Sequence, residues 1–184
     1  MSDFDRRREL GRLGERLVSR YLQSAGFGVL PSYEYSGAGD NKAPRLQFID
    51  RGLVVPDLDC ARAGSRVWLE VKTYERAVFN RSRCADVHGI HRRHHAHYLQ
   101  VEAATGSPAW VLILEVETGA LLAGKIAELP WFDCQCGGCR AGGRCRVPRG
   151  PQVYVDRQEL RQIHAFAPAA MLALRRAWRE DVAS

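Results

Sequence analysis

Lysine is the scarcest charged residue in this chain: Lys42, Lys72 and Lys125 are the only three in 184 positions, against 24 arginines. Codon bias alone can produce such an arginine excess, so it says little about phosphate binding. An acid-x-Lys pattern arises by chance about 0.3 times in such a sequence, so its context must carry any meaning. Long apolar runs are missing too. The best, Ala109 to Val116, has the length of a buried strand and not of a transmembrane helix. The first ten residues, MSDFDRRREL, lack the apolar core of a secretory signal, so the expectation is a cytosolic, membrane-free chain. In that compartment six cysteines serve as metal ligands or buried thiols more readily than as disulfides. No internal repeat is visible, and the only compositionally biased patch is rich in Gly, Cys and Arg.

What is present is a net charge of +6 and a pI of 9.2, which favour an anionic partner, nucleic acid before membrane. The chain is long enough for one domain with a proper core. Val54 to Tyr74, VVPDLDCARAGSRVWLEVKTY, predicts two strands joined by a turn at Ala63-Gly64. A loop centred there pairs residues whose numbers sum to 127, so Arg62 faces Ser65 and Asp57 faces Glu70. Strand alternation adds Lys72 to the same face. Two carboxylates about 5 Å apart repel by roughly 3 kcal/mol at an effective dielectric near 20. Lys72 offsets part of this and a divalent metal would offset more; the plain alternative is a solvated surface ion pair. The other acid-x-Lys, Asp40-Asn41-Lys42, falls in a Gly- and Pro-bounded loop without a strand.

The periodicity predicts a helix over about Asp5 to Ala25, with Leu10, Leu13, Leu17 and Tyr21 as its buried stripe and Gly26 as its stop. Gly11, Glu15 and Ser19 lie along its flank beside Arg12 and Arg16. Glu15 on its own reads as a surface residue paired with Arg12 or Ser19. Phe27 to Tyr35 reads as a strand, residues 75–90 as a loop bordering the site, and His91 to Thr105 as a helix. That helix carries His94 and Tyr98 on one side and the phosphate-capable Arg92 and Arg93, unless its polar face is simply solvated. Trp110 to Val116 and Ala120 to Ile126 form a second hairpin whose first strand is apolar throughout and therefore central. Val153 to Val155 is a short strand, Asp156 and Glu159 form a capping box, and Pro168 opens a last helix burying Met171, Leu172, Leu174 and Trp178.

The order helix with Glu15, Pro56-Asp57, Glu70-Val71-Lys72, then helix and strand resembles the PD-(D/E)xK nuclease superfamily, with its Holliday-junction-resolvase-like and restriction-like members nearest. GRLGERLVSRYLQSAGFGVL is similar to their first helix, and the resemblance covers about residues 8–116. It implies an α/β restriction-endonuclease-like core, α-β-β-β-α-β, with a mixed central sheet flanked by helices. Residues 1–132 would form that core, 133–150 a Cys-rich metal loop, and 151–184 a C-terminal strand and helix packing on the core. It further implies that Asp57, Glu70 and the Val71 carbonyl hold Mg²⁺ or Mn²⁺, that Glu15 completes the shell, and that Lys72 orients water and steadies phosphate charge. His94 and Tyr98, with Arg12, Arg92 and Arg93, become candidate substrate contacts. The implied activity is metal-dependent hydrolysis of DNA phosphodiesters in recombination, repair or defence, and two-strand cutting would need a homodimer or two visits. The alternative is a non-catalytic, zinc-containing nucleic-acid-binding or assembly protein that keeps the nuclease fold.

Cys134, Cys136, Cys139 and Cys145 place four thiols within twelve residues, separated by glycines that allow the turns of a tetrahedral Zn²⁺ knuckle. Arg140, Arg144, Arg146 and Arg149 surround them and would offset the thiolate charge, as a structural staple or as a DNA-contacting finger. The Cys136-x₂-Cys139-x₅-Cys145 run also resembles iron–sulfur-stapled members of the superfamily. Those relatives usually draw one cysteine from before the acidic motifs. Only Cys60 and Cys84 lie outside this loop, so zinc is the expectation.

Overall fold

Ala63 and Gly64, with φ of 48° and 79°, make the two-residue reversal that a tight hairpin with right-handed strand twist requires. They join β4 (Leu58–Arg62) to β5 (Ser65–Tyr74), and the register is the one expected: Arg62 faces Ser65 and Leu58 faces Leu69. The first strand is nevertheless not continuous from Val54. Pro56 has no N–H to give a ladder. The chain therefore ends one small hairpin, β2 (Arg45–Gln47) with β3 (Gly52–Val54), before entering β4.

The computed structural model describes residues 3–32, 44–136 and 150–182. The Asp40-Asn41-Lys42 loop, the end of the strand expected to reach Tyr35, and residues 137–149 with Cys139 and Cys145 lie outside them. The remaining elements are α1 (Asp3–Ser24), β1 (Gly28–Pro31), β6 (Val78–Asn80), β7 (Ala85–His91), α2 (Arg92–Thr105), β8 (Ala109–Glu115) and β9 (Ala120–Lys125). After them come β10 (Phe132–Asp133), β11 (Gln152–Asp156), β12 (Arg161–Ala165) and a last helix, α3 (Leu172–Val182). Among the described residues the main sheet runs β1-β4-β5-β8-β9-β12, antiparallel except for the parallel β5–β8 pair. A second, antiparallel sheet runs β10-β11-β7-β6. No described helix is long and apolar enough to cross a membrane.

β8 is central, as its unbroken apolar run predicts, because cores cover both faces of the sheet. α1 and α3 cover one face through Leu10, Val18, Leu22, Met171 and Leu174; α2 and the second sheet cover the other through Tyr98, Val101, Ile90 and Val153. On α1 the buried line is Leu10, Gly14, Val18 and Leu22, with Leu13, Leu17 and Tyr21 beside it. The helix ends as expected at Gly26, φ 86°, with Phe27 N–H returning to the Leu22 carbonyl.

Four local expectations are corrected. Residues 75–90 are not a loop but contain β6 and most of β7. β12, edge strand of the main sheet, has no counterpart in the sequence reading. Asp156 makes no capping bond to the short 3₁₀ turn that follows it, because its carboxylate receives Arg83 instead. Leu172 is exposed at the start of α3 rather than buried.

Gly14 decides how closely α1 approaches β5. A Cβ there would lie 2.0 Å from Thr73 Oγ1, 3.1 Å from Thr73 Cβ and 3.3 Å from Cγ2, so the Thr73 side chain would have to shift and the helix back away. Gly14→Ala is therefore expected to destabilise the fold by about 1–3 kcal/mol through overpacking, despite alanine's helix propensity. Urea unfolding measures this, and adding Thr73→Ala should recover most of the loss. A Gly14→Ala protein as stable as wild type would mean that the helix does not rest on Thr73.

Candidate active site

β5 is ten residues long and β4 five, so the β4 ladder ends at Leu69 while β8 continues beside β5 as far as Tyr74. From Glu70 onward one edge of β5 has no ladder partner among the described residues, and the candidate residues gather at this fork. Asp57 sits just before β4, its carbonyl bonded to Ser32 N–H. Its side chain turns to β5, where Oδ2 accepts the Val71 N–H at 2.9 Å. Glu70 is 1% exposed; Lys72 Nζ contacts its Oε1, while Oε2 has no hydrogen-bond partner among the described residues.

Glu15 approaches from α1, where Gly14 has brought the helix down onto β5. Burial raises its pKa to about 6, opposed by Lys72 and reinforced by Glu70, with Arg12 and Arg16 as weaker lowering charges. Burial also raises Asp57 well above the usual carboxylate range, with the Glu70 charge adding to it and Lys72 opposing. For Lys72 burial works against the charge, but Glu70 and Asp57 outweigh it and hold the ammonium above its ordinary range. The site thus holds three acids around one cation, an excess of negative charge in a poorly solvated place. These shifts give a pH prediction. In the metal-free protein Glu15 should titrate near pH 6, followed by NMR of its carboxyl carbon. The midpoint should fall in Glu70→Gln, which removes a raising charge, and climb in Lys72→Met, which removes a lowering one. Because the fold penalises ionised Glu15, the associated stability cost grows from about pH 4.5 to about 6 and is absent below. Opposite movements in the two variants would break the assignment of Glu15 to this cluster.

From the other face α2 contributes His94, whose pKa is lowered first by burial, with Glu70 and Lys72 as its next electrostatic neighbours. Its ring packs at 6.0 Å from Tyr98. Tyr98 itself is 1% exposed and belongs to the core, which corrects its assignment as a substrate contact. Arg12 is exposed on α1, Arg93 is exposed on the first turn of α2, and Arg92 is tied to Asp133 at 2.7 Å.

Among the described residues no three His, Cys, Asp or Glu side chains converge into a finished metal cage. Mg²⁺ seldom needs one: it is held by one or two carboxylates and completes its shell with water and substrate phosphate. The donors of Asp57, Glu70 and Glu15 are all hard oxygens, and the unpartnered buried Glu70 Oε2 fits such an ion. In the cysteine segment, Cys134 is buried and its N–H bonds to the Gln152 carbonyl; Cys139 and Cys145 lie outside the described residues.

A cleft of about 1150 Å³ runs from Glu15 and Lys72 past Tyr74 and Phe79 to Glu115 and Arg157. None of the residues expected from the sequence lies at this far end. Glu115 is 2% exposed and receives Arg157 through Nε at 2.7 Å and a terminal nitrogen at 2.9 Å, Thr118 Oγ1 at 3.1 Å, and His88 Nε2 at 3.0 Å. The signal that could have found it is an acid at the end of the apolar run AWVLILEV. Gly14 was equally legible, as a glycine in the i+4 line between Leu10 and Val18.

No protein-family model matches the chain, and no curated protein is similar to it in sequence. Solved structures do match. A Holliday junction resolvase, Hjc, from the archaeal hyperthermophile Archaeoglobus fulgidus aligns with a TM-score of 0.52 at 15% identity, over 83% of this chain and 96% of that one. D212, a nuclease from a fusselovirus, aligns with a TM-score of 0.41 at 11% identity, over 91% of this chain and 90% of that one. The likeness to the resolvase shows the fold: a mixed α/β, restriction-endonuclease-like core with a central mixed sheet flanked by helices.

Proposed function

We propose that this protein is a Mg²⁺- or Mn²⁺-dependent nuclease that hydrolyses DNA phosphodiester bonds, working in the cytosol in recombination, repair or defence. The observation that carries this is the fork itself: two buried carboxylates, Asp57 and Glu70, with a third at Glu15 and a single ammonium, at the open edge of β5. A fold retained only for binding has no use for three acids kept against the cost of burial, in a protein whose net charge is +6. Asp57, Glu70 and the Val71 carbonyl would hold the ion, and Glu15 would complete the shell. When bound, the ion polarises a phosphate oxygen and lowers the pKa of its water. Lys72 orients the attacking water and, once phosphate oxygens are near, transfers part of its interaction from Glu70 to them. Glu15, in that shell, would accept a hydrogen bond from the water and help to orient it. His94 contacts the substrate from α2. Cys134, Cys136, Cys139 and Cys145 would close on a structural Zn²⁺ apart from the reaction.

The test is to incubate duplex, branched and single-stranded DNA with Mg²⁺, with and without chelator, and with the Glu70→Gln protein alongside. Cleavage by wild type alone, abolished by chelator, is the expected result. Binding of every substrate with cleavage of none would instead establish the binding-protein alternative.

A further inference from the structure

β6 leaves two large apolar side chains in the open. Val78 is 67% exposed and Phe79 59%, although they belong to regular strand and sit opposite Val87 and Asp86 of β7. β6 is the edge of the second sheet, and both residues border the same cleft as Glu15 and Lys72, with their side chains on opposite faces of the strand. Side chains this size gain from leaving water, so their exposure beside a polar site asks for an occupant.

We propose that Phe79 forms a stacking surface for an unstacked nucleobase of the bound nucleic acid, next to the scissile phosphate. The inference rests on the nuclease reading of the same cleft and gives it a substrate preference: DNA with unpaired bases, at a branch, bubble or single-stranded segment, over regular duplex. The charges around this wall favour a base. Glu75 and Asp86 share it and repel a phosphate backbone, leaving the apolar face of a base as the compatible part of a nucleotide. Arg76, 70% exposed and 3.9 Å from Glu117, lines the same cleft two residues before Val78 and brings a guanidinium to this wall. Arg12, exposed on α1 and near enough to Glu15 to act on its charge, adds a positive charge beside the site for the phosphates. A base paired within duplex cannot reach a side wall without leaving its stack, which is the source of the preference. The competing occupant is β6 of a second copy. A three-residue edge strand with two apolar side chains falls far short of the roughly 800 Å² per partner of a stable interface.

The experiment has two arms. Cleavage of a duplex is compared with cleavage of the same duplex carrying a short central bubble, for wild type and Phe79→Ala, with Mg²⁺. The bubble-to-duplex ratio should fall about tenfold in Phe79→Ala, the scale of one lost base–aromatic stack. In the second arm Phe79→Trp is combined with Glu70→Gln and titrated, without metal, with single-stranded oligonucleotide; stacking quenches the fluorescence of the introduced indole, read as the difference from Glu70→Gln alone. An unchanged ratio together with an unquenched indole would overturn the proposal. So would a wild-type dimer in sedimentation that becomes monomeric in Phe79→Ala, which would assign the patch to a second copy. The fluorescence arm needs no cleavage. A protein that cuts neither substrate yet shows quenching loses the nuclease reading and keeps the base contact.

Discussion

Glu70→Gln is expected to lower DNA cleavage by about 10³-fold, close to 4 kcal/mol of transition-state stabilisation, while the protein stays folded and continues to bind DNA. The substitution keeps shape and volume, so β5 and its pairing to Val111 are undisturbed. It removes the oxygen charge that Lys72 contacts and the unpartnered Oε2 offered to a cation. Stability should not suffer, because Glu70 is also a charge that pushes Asp57 and Glu15 towards their neutral forms. Relief of that repulsion makes a Tm at or above that of wild type the expected result, a local stability–function conflict of the kind that marks sites kept for chemistry. Cleavage equal to wild type would remove Glu70 from the site. A large fall in Tm would make the Glu70–Lys72 pair a structural contact first.

The sequence made the fork legible because its determinants are local. Ala63-Gly64 can adopt the two positive φ values of a tight reversal, the reversal dictates the register, and the register carries Asp57 towards Glu70. Pro56 was legible as half of a motif but not as a break. Its missing N–H frees Asp57 from the ladder and lets the carboxylate accept from Val71 N–H instead of simply facing Glu70. β6 and β7 were hidden because their logic is non-local. His88 and Gly89 look out of place in a strand until Glu115 and the Tyr154 ring are brought against them. A Cβ on Gly89 would meet that ring at 2.6 Å, so the residue that most resembles a loop signal is required by sheet packing. Asp156 failed as a helix cap for the same reason, since its partner Arg83 lies 73 residues away. Local pattern thus specified the strands that build the site, and distant pairing decided the wall that faces it.

Glu115→Ala should cost about 3 kcal/mol, lowering Tm by about 6–12 °C for a chain of this size. Glu115 ends β8 and collects donors from three separate places: His88 on β7, Thr118 in the β8–β9 turn, and Arg157 in the 3₁₀ turn after β11. It thereby ties the second sheet to the first. Alanine leaves His88, 2% exposed, without its acceptor and Arg157 without its bidentate partner. Arg157 keeps 38% of its side chain in contact with solvent, which places the loss at the low end of the range for broken buried pairs. Burial alone would raise the Glu115 pKa, but Arg157, His88 and Thr118 together pull it down to about 2. Its stabilisation is therefore complete above the usual value of 4.5 and is lost as pH falls towards about 2. His88 is held neutral because burial lowers its pKa, so it donates Nε2–H to the carboxylate, and it adds an acid penalty of the same sign below its ordinary 6.5. Urea unfolding at pH 7 and across the acid limb measures both effects. A loss under about 1 kcal/mol, or an acid limb with the wild-type slope, would show that the cluster is not what holds the sheets together. Glu115 faces Tyr74 in the β5–β8 pairing and lines the same cleft as Lys72 and Phe79. A loosened cluster should thus lower cleavage as well as stability, through the wall that carries β6 and with Glu70 and Lys72 left in place.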